Sequence, residues 1–230
     1  MDGFPFQVEV IRTNRKKSAS IRLYDDLVRV SVPLALSDNR IRDLVSQRTS
    51  WIKKKLQEQS DLPRLTPKEY VSGEKVTYLG KNYRLKVLKG NYPSIRMHRG
   101  YIEVTALKDD TDPKTSIRLL LIDWYKSHAE KRLIEKTQRF SKVIGVEPKS
   151  ICVKDYKSRW GSCSVHGDIS YNWRIILAPH SIVDYVVVHE LCHILEHNHS
   201  SKYWKHVECY MPKWRECRQW LKDNYFTMEI

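Results

Sequence analysis

The run His189-Glu190-Leu191-Cys192-His193 places two imidazoles four residues apart, with a carboxylate directly after the first. On a helix, residues at that spacing share a face, so both rings can grip one Zn²⁺ while Glu190 reaches a water beside it. A hydrolytic zinc centre needs three protein ligands and an open position, and neutral imidazole suits the metal. A carboxylate next to an activated water can take its proton and later deliver it to a leaving group. The chemistry implied is hydrolysis, with His189 and His193 as metal ligands and Glu190 as general base and acid.

The third ligand is open at this level, because Glu196, His197, His199 and His206 all follow closely. Glu196 and His197 share the face of His193 only if the helix continues. His199 reaches back only if the chain turns after about His197, and Asn198, which tolerates a left-handed backbone, suits that turn. His199 is the preferred ligand, with His197 and Glu196 as alternatives. The interval from His193 to His199 is also that of the HExxHxxGxxH metzincins, but Glu196 stands where they have glycine.

A second constellation is Lys157-Ser158-Arg159-Trp160-Gly161-Ser162-Cys163, followed by Gly167, Ile169 and Asn172. The glycine beside Trp160 predicts a tight loop presenting polar groups, with Arg159 available for a substrate carboxylate or phosphate. Arg159, Trp160, Ser162 and Asn172 are therefore candidate substrate-binding residues. Arg159 could equally bond backbone carbonyls, and Trp160 could belong to the core. Cys163 as a nucleophile would be redundant beside a zinc site.

These residues need elements to position them. Phe6 to Ile11, Ala19 to Tyr24 and Leu27 to Val32 alternate with period two, with Asp25-Asp26 as a turn, and read as hairpin strands. Ser37 or Asp38 can cap a helix in which Ile41, Leu44, Val45, Trp51, Ile52 and Leu56 recur through about Gln59. Ser60 to Lys68, with Pro63 and Pro67, reads as a connector. Short strands follow at Lys75 to Tyr78, Tyr83 to Leu88 and Tyr101 to Thr105, and Gly80-Lys81 lacks the context of a phosphate loop. Asp112-Pro113 opens a long helix ended by Gly145. Ile151 to Val153 and Ile169 to Leu177 read as strands, and Ala178-Pro179 leads into the motif helix from about Ser181 to Glu196. Helices from Lys202 to about Tyr210 and after Pro212 complete the chain. The expected division is a β-rich region over 1–110 and a catalytic domain over 111–230.

Lys and Arg exceed Asp and Glu by fourteen, spread over clusters such as Arg12 to Lys17 and Lys53 to Lys55. A polyanionic substrate or partner fits that balance, although such runs also serve as solvated faces. The five cysteines are odd in number and contain no CxxC pair, as expected in a reducing compartment. Met1 to Glu9 lacks a basic stretch followed by an apolar core, and no window approaches ~18 apolar residues. The expectation is a soluble cytoplasmic protein without membrane association, of open oligomeric state.

Arg159 to Cys163, Gly167, Asn172, Tyr185 to His193, Asn198 to Ser200 and Tyr203-Trp204 together resemble the YgjP-like family of zinc-dependent hydrolases, relatives of the SprT-like and minigluzincin metallopeptidases. Arg15-Lys16-Lys17, Pro33, Trp51-Ile52 and Tyr78 to Lys81 extend the resemblance over nearly the whole chain. It implies an α+β fold with a zincin-like catalytic half, in which a helix, a β-hairpin and the HExxH helix surround Zn²⁺. His189, His193 and His199 would be ligands and Glu190 the acid/base. A metallopeptidase mechanism on a peptide explains the motif. A nucleoside triphosphate pyrophosphatase acting on UTP-like substrates, an activity attributed to a family member, explains the charge. A nucleic-acid-associated protein with a structural metal is the third possibility, though such a site has no use for Glu190.

Overall fold

The computed structural model describes residues 3–16, 18–24, 27–61 and 66–230. Its described residues form an α+β protein with five α-helices and three small sheets. The chain divides into two compact units, Met1–Thr66 and Pro67–Ile230.

The first unit contains strands β1 (Gln7–Thr13), β2 (Ser20–Tyr24) and β3 (Leu27–Pro33) and helix α1 (Asp38–Ser60). Alternation in β3 buries Val28, Val30 and Val32, which share a core with Ile41, Val45 and Ile52 of α1. The Arg12 guanidinium secures the start of α1, donating to the carbonyls of Leu34 (3.0 Å) and Leu36 (2.6 Å) and to Asp38 (2.6 Å). The sequence predicts hairpin strands, which holds for the antiparallel pair β2 and β3. β1 instead runs parallel to β3 in the order β1-β3-β2, a long-range pairing that local alternation does not encode. The Asp25-Asp26 turn and Pro63 of the connector lie outside the described residues.

The second unit opens with a four-stranded sheet of β4 (Lys75–Tyr78), β5 (Lys81–Gly90), β6 (Ser94–His98) and β7 (Tyr101–Leu107), ordered β4-β5-β7-β6. Helix α2 (Pro113–Ile144) follows, capped by Asp112 accepting from the Thr115 amide and ended by Gly145 in a left-handed conformation. A second sheet, ordered β8-β10-β9, consists of β8 (Ser150–Lys154), β9 (Gly161–Cys163) and β10 (Asp168–Asn172). A 3-10 turn, Trp173–Leu177, then leads into α3 (His180–Leu195), α4 (Ser201–Tyr210) and α5 (Trp214–Asn224). Leu121, Ala129 and Leu133 of α2 and Val183, Val187, Val188 and Leu191 of α3 are fully buried in one core.

The expected boundary after residue 110 does not coincide with the division into units. The β4–β5 turn is bonded to the segment before α3, through the Leu79 amide to the Ile176 carbonyl (2.8 Å) and the Gly80 amide to the Leu177 carbonyl (3.2 Å). Tyr125 of α2 donates to the Thr77 carbonyl at 2.7 Å. The four-stranded sheet therefore shares its core with the motif helix. The strand expected over Ile169 to Leu177 stops at Asn172, because the Asn172 side chain caps the 3-10 turn by accepting from the Arg174 amide. Gly161 to Cys163, expected as loop, is a strand, and β6 had no clear signal in the sequence.

Glu103 on β7 faces Lys86 on β5 and Arg96 on β6 in register and accepts from both at 2.9 Å. Hydrogen bonds from Lys86 and Arg96 hold its carboxyl at about 2. A depressed carboxyl contributes stability above its unfolded value and loses it as pH falls through the folded one. Replacing Glu103 by Gln should lower the thermal midpoint at pH 7 by a few degrees, and the deficit should shrink between about pH 4 and 2. Thermal unfolding of both proteins across that range checks this.

Candidate functional site

Helix α3 is buried along most of its length, as the run Val186 to Val188 predicts, and its last turns carry the motif. His189 and His193 face the same way with ring centroids 5.0 Å apart. The helix then stops: Glu196 is extended and its amide bonds the Cys192 carbonyl. The Asn198 side chain accepts from the Ser200 amide at 2.9 Å, and Ser200 caps α4 through the Tyr203 amide at 3.2 Å. The expected turn is thus present. It is built by the Asn198 side chain, and Asn198 is not among the residues with positive φ.

This turn brings His199 back over α3. The Nε2 atoms of His199 and His189 lie 3.3 Å apart, and one ring nitrogen from each of His189, His193 and His199 lies within 4.8 Å of the others. Tetrahedral zinc with Zn–N bonds of about 2.0–2.1 Å separates its ligands by roughly 3.3 Å, so the residues present fit such an ion. Among the described residues neither His197 nor Glu196 joins this group. The Glu196 carboxylate accepts from Asn198 at 2.9 Å, and its carbonyl lies 3.2 Å from His193 Nδ1, leaving Nε2 of that ring available. Tyr203 stacks on His193 at 4.5 Å and donates to the His189 carbonyl at 2.9 Å. Trp204 stacks on His199 at 5.5 Å and on Trp214 at 4.1 Å. Burial, aided by His193 and His199, pushes the His189 imidazole down to about 3, and burial lowers His193 and His199 too. Neutral rings at neutral pH are the state that binds metal.

Glu190 is only 4% exposed and lies flat against β9. A Cβ built on Gly161 would meet its Oε1 at 2.5 Å and its Cγ at 2.7 Å, so glycine is required by this close approach. The sequence predicts a tight loop at Gly161; the structure gives it strand geometry without positive φ. Burial raises the Glu190 carboxyl to about 8, and the Arg159 charge opposes that shift. Burial, with the charges of Glu190 and Asp168, pushes the Cys163 thiol up to about 11, a protonated state that does not suit a nucleophile.

A cavity of about 980 Å³ opens beside His189, lined by Glu190, Gly161, Tyr156, Arg159 and Arg218 among others. Trp160 lines it while partly packed on the core. Asn172 also reaches it, but its amide donates to the Tyr156 carbonyl at 2.9 Å and the Arg159 carbonyl at 3.1 Å. It therefore holds the 156–159 loop in place. Ser162 is not among the lining residues, and its hydroxyl lies 3.1 Å from that of Tyr156, which is. Sequence reasoning missed Arg174 and Arg218, both on the cavity wall. The available signal for Arg218 was its position next to the apolar stripe Trp214, Cys217 and Leu221 of α5.

The model of the YgjP-like metallopeptidase domain matches residues 17–224. The chain belongs to that family. As a YgjP-like metallopeptidase-type chain it presents a cluster of three histidines able to hold a metal ion. A search of curated proteins finds no match. Among solved structures, the metallopeptidase zymogen abylysin of Pyrococcus abyssi is 18% identical, over 39% of this chain and 92% of that one, with a TM-score of 0.36. Among the described residues no helix is long and apolar enough to cross a membrane.

Two substitutions separate the parts of this YgjP-like site. His199→Ala should weaken metal binding by more than the roughly 10–100-fold typical of losing an outer partner, read as metal content after dialysis against a chelator. An unchanged metal load would transfer the role to another group. Gly161→Ala should leave metal content intact while displacing Glu190, lowering turnover by roughly 10²-fold.

Proposed function

We propose that this chain is a zinc-dependent metallopeptidase in which His189, His193 and His199 hold the ion and Glu190 is the general base and then the general acid. The observation that carries this reading is the convergence of the three imidazoles within 4.8 Å, one of which, His189, lines a cavity together with Glu190. Zinc, when bound, supplies Lewis acidity to the carbonyl under attack. Glu190 takes the proton of the attacking water on a carboxylate oxygen and returns it to the departing amine. Its burial and the fit against Gly161 keep the carboxylate in one position.

The strand edge open to an extended substrate is that of β9, not of β10. β10 is paired on both sides, by β8 and β9, whereas β9 is an outer strand of its sheet. The Asn172 amide bonds the Trp160 carbonyl and the Ser164 amide bonds the Asp168 carbonyl. In an antiparallel ladder that phase turns the amide and carbonyl groups of Gly161 and Cys163 outward. An extended peptide pairing with this edge would pass beside Glu190.

A second reading, pyrophosphohydrolysis of a nucleoside triphosphate, is favoured by the cationic side chains of Lys157, Arg159, Arg174, Arg218 and Lys222 on the cavity wall. A nucleic-acid-bound protein with a structural metal has less support, because it leaves Glu190 without a task. A reducing compartment, the cytoplasm, agrees with five free cysteines.

The deciding experiment incubates zinc-loaded protein with unstructured peptides and, separately, with nucleoside triphosphates, alongside Glu190→Gln. Peptide cleavage reduced by about 10²–10⁴-fold in the variant at unchanged zinc content is expected. Full activity in Glu190→Gln would sink the mechanism. Inert peptides with nucleotide turnover would establish the second reading.

A further inference from the structure

The wall of the cavity beside Glu190 is charged unevenly. Of its five cations, Arg174 is paired with Asp155, while Lys157, Arg159, Arg218 and Lys222 have no carboxylate partner within 4.0 Å among the described residues. Apart from Asp155 and Glu190, the only acidic side chain among its lining residues is Glu229. The excess is therefore cationic and faces the reacting position.

Two of these cations are held in place. Arg159 sits in the loop whose Tyr156 and Arg159 carbonyls are bonded by Asn172, its guanidinium lies 5.5 Å from the centre of the Tyr156 ring, and its charge acts on Glu190. It precedes Gly161 by two residues, about 7 Å along an extended chain. Arg218 stands on α5 with its guanidinium 5.3 Å from the centre of the Trp204 ring, and its charge reaches His189 and His199. Stacking of an arginine on an aromatic ring restricts it without consuming its hydrogen-bond donors. Both arginines line the cavity that β9 borders through Gly161, with donors that remain available for a carboxylate of a peptide on that edge.

We propose that this site selects peptides carrying a carboxylate within about two residues of the scissile bond, bound by Arg159 and Arg218. The inference rests on the peptidase reading above and deepens it. The carboxylate can come from an Asp or Glu side chain or from the free C-terminus of the substrate, and both present the same planar anion to a guanidinium.

The test uses zinc-loaded full-length protein and one peptide sequence in matched forms: neutral with an amidated C-terminus, neutral with a free C-terminus, and amidated with a single Glu at each position around the cleaved bond. Cleavage is read as kcat/KM by mass spectrometry. A roughly five- to tenfold preference for a carboxylate-bearing form is expected, shrinking as salt rises. The form that gains identifies the source, side chain or terminus. Arg159→Gln and Arg218→Gln should each bring the ratio of acidic to neutral substrate towards one, and Arg218→Glu should shift it towards a Lys-bearing peptide. Peptide affinity for the Glu190→Gln protein, measured by calorimetry, should follow the same order without turnover. Equal cleavage of neutral and acidic forms would overturn the selectivity while leaving the peptidase standing. Peptides that are neither bound nor cleaved, with nucleotides hydrolysed, would overturn both.

Discussion

Helix α3 must bury an apolar run and, directly after it, three ionisable groups on the same rigid rod. His189, Glu190 and His193 are intermediate to buried, and buried ionisable groups are costly unless neutral, bonded or paired. The surroundings of the helix end answer part of that cost, and the buried His189 Nδ1 has no hydrogen-bond partner. Burial keeps the imidazoles neutral, Tyr203 stacks on His193, the imidazoles meet one another edge-on or tilted, and Glu190 is raised towards its protonated form unless a cation approaches. A divalent ion between the rings would act on Glu190 in the same direction as Arg159 does. The site is stable as protein, yet arranged so that a cation improves it.

Two segments outside the motif give it its geometry. β9 closes one side so tightly that a single methyl group at Gly161 would collide with Glu190. On the other side, the turn from Glu196 to Ser200 returns His199 over His189, and α4 supplies the aromatic backing. Both depend on the core between α2 and α3, where the buried Thr137 hydroxyl bonds the Leu133 carbonyl and the Tyr171 hydroxyl and so links α2 to β10. A buried polar pair satisfied in this way favours one register of β10, and hence one position for β9.

The positive charge of the chain acquires a local meaning at the cavity. Scattered lysines and arginines say little on a solvated surface, but cations beside a buried carboxylate and three neutral imidazoles bias which substrates approach. The same wall explains why two hydrolytic readings compete in sequence: peptide carboxylates and phosphates share the chemistry that arginine recognises.

Much of this protein was legible without coordinates because it is local. The i, i+4 spacing of His189 and His193, the apolar run before them, the Asp112 cap, the Gly145 stop and the bounds of β4 all follow from short-range periodicity and capping. What the sequence alone left open is set by contacts between residues far apart in the chain. These include the parallel pairing of β1 with β3, the strand identity of Gly161 to Cys163 and the bonds joining the four-stranded sheet to the segment before α3. They also include the grouping of His199, rather than Glu196 or His197, with His189 and His193, and the presence of Arg218 on the cavity wall. The periodicity of a segment reports which of its faces is buried but not what covers it. That partner is decided only when the whole chain packs.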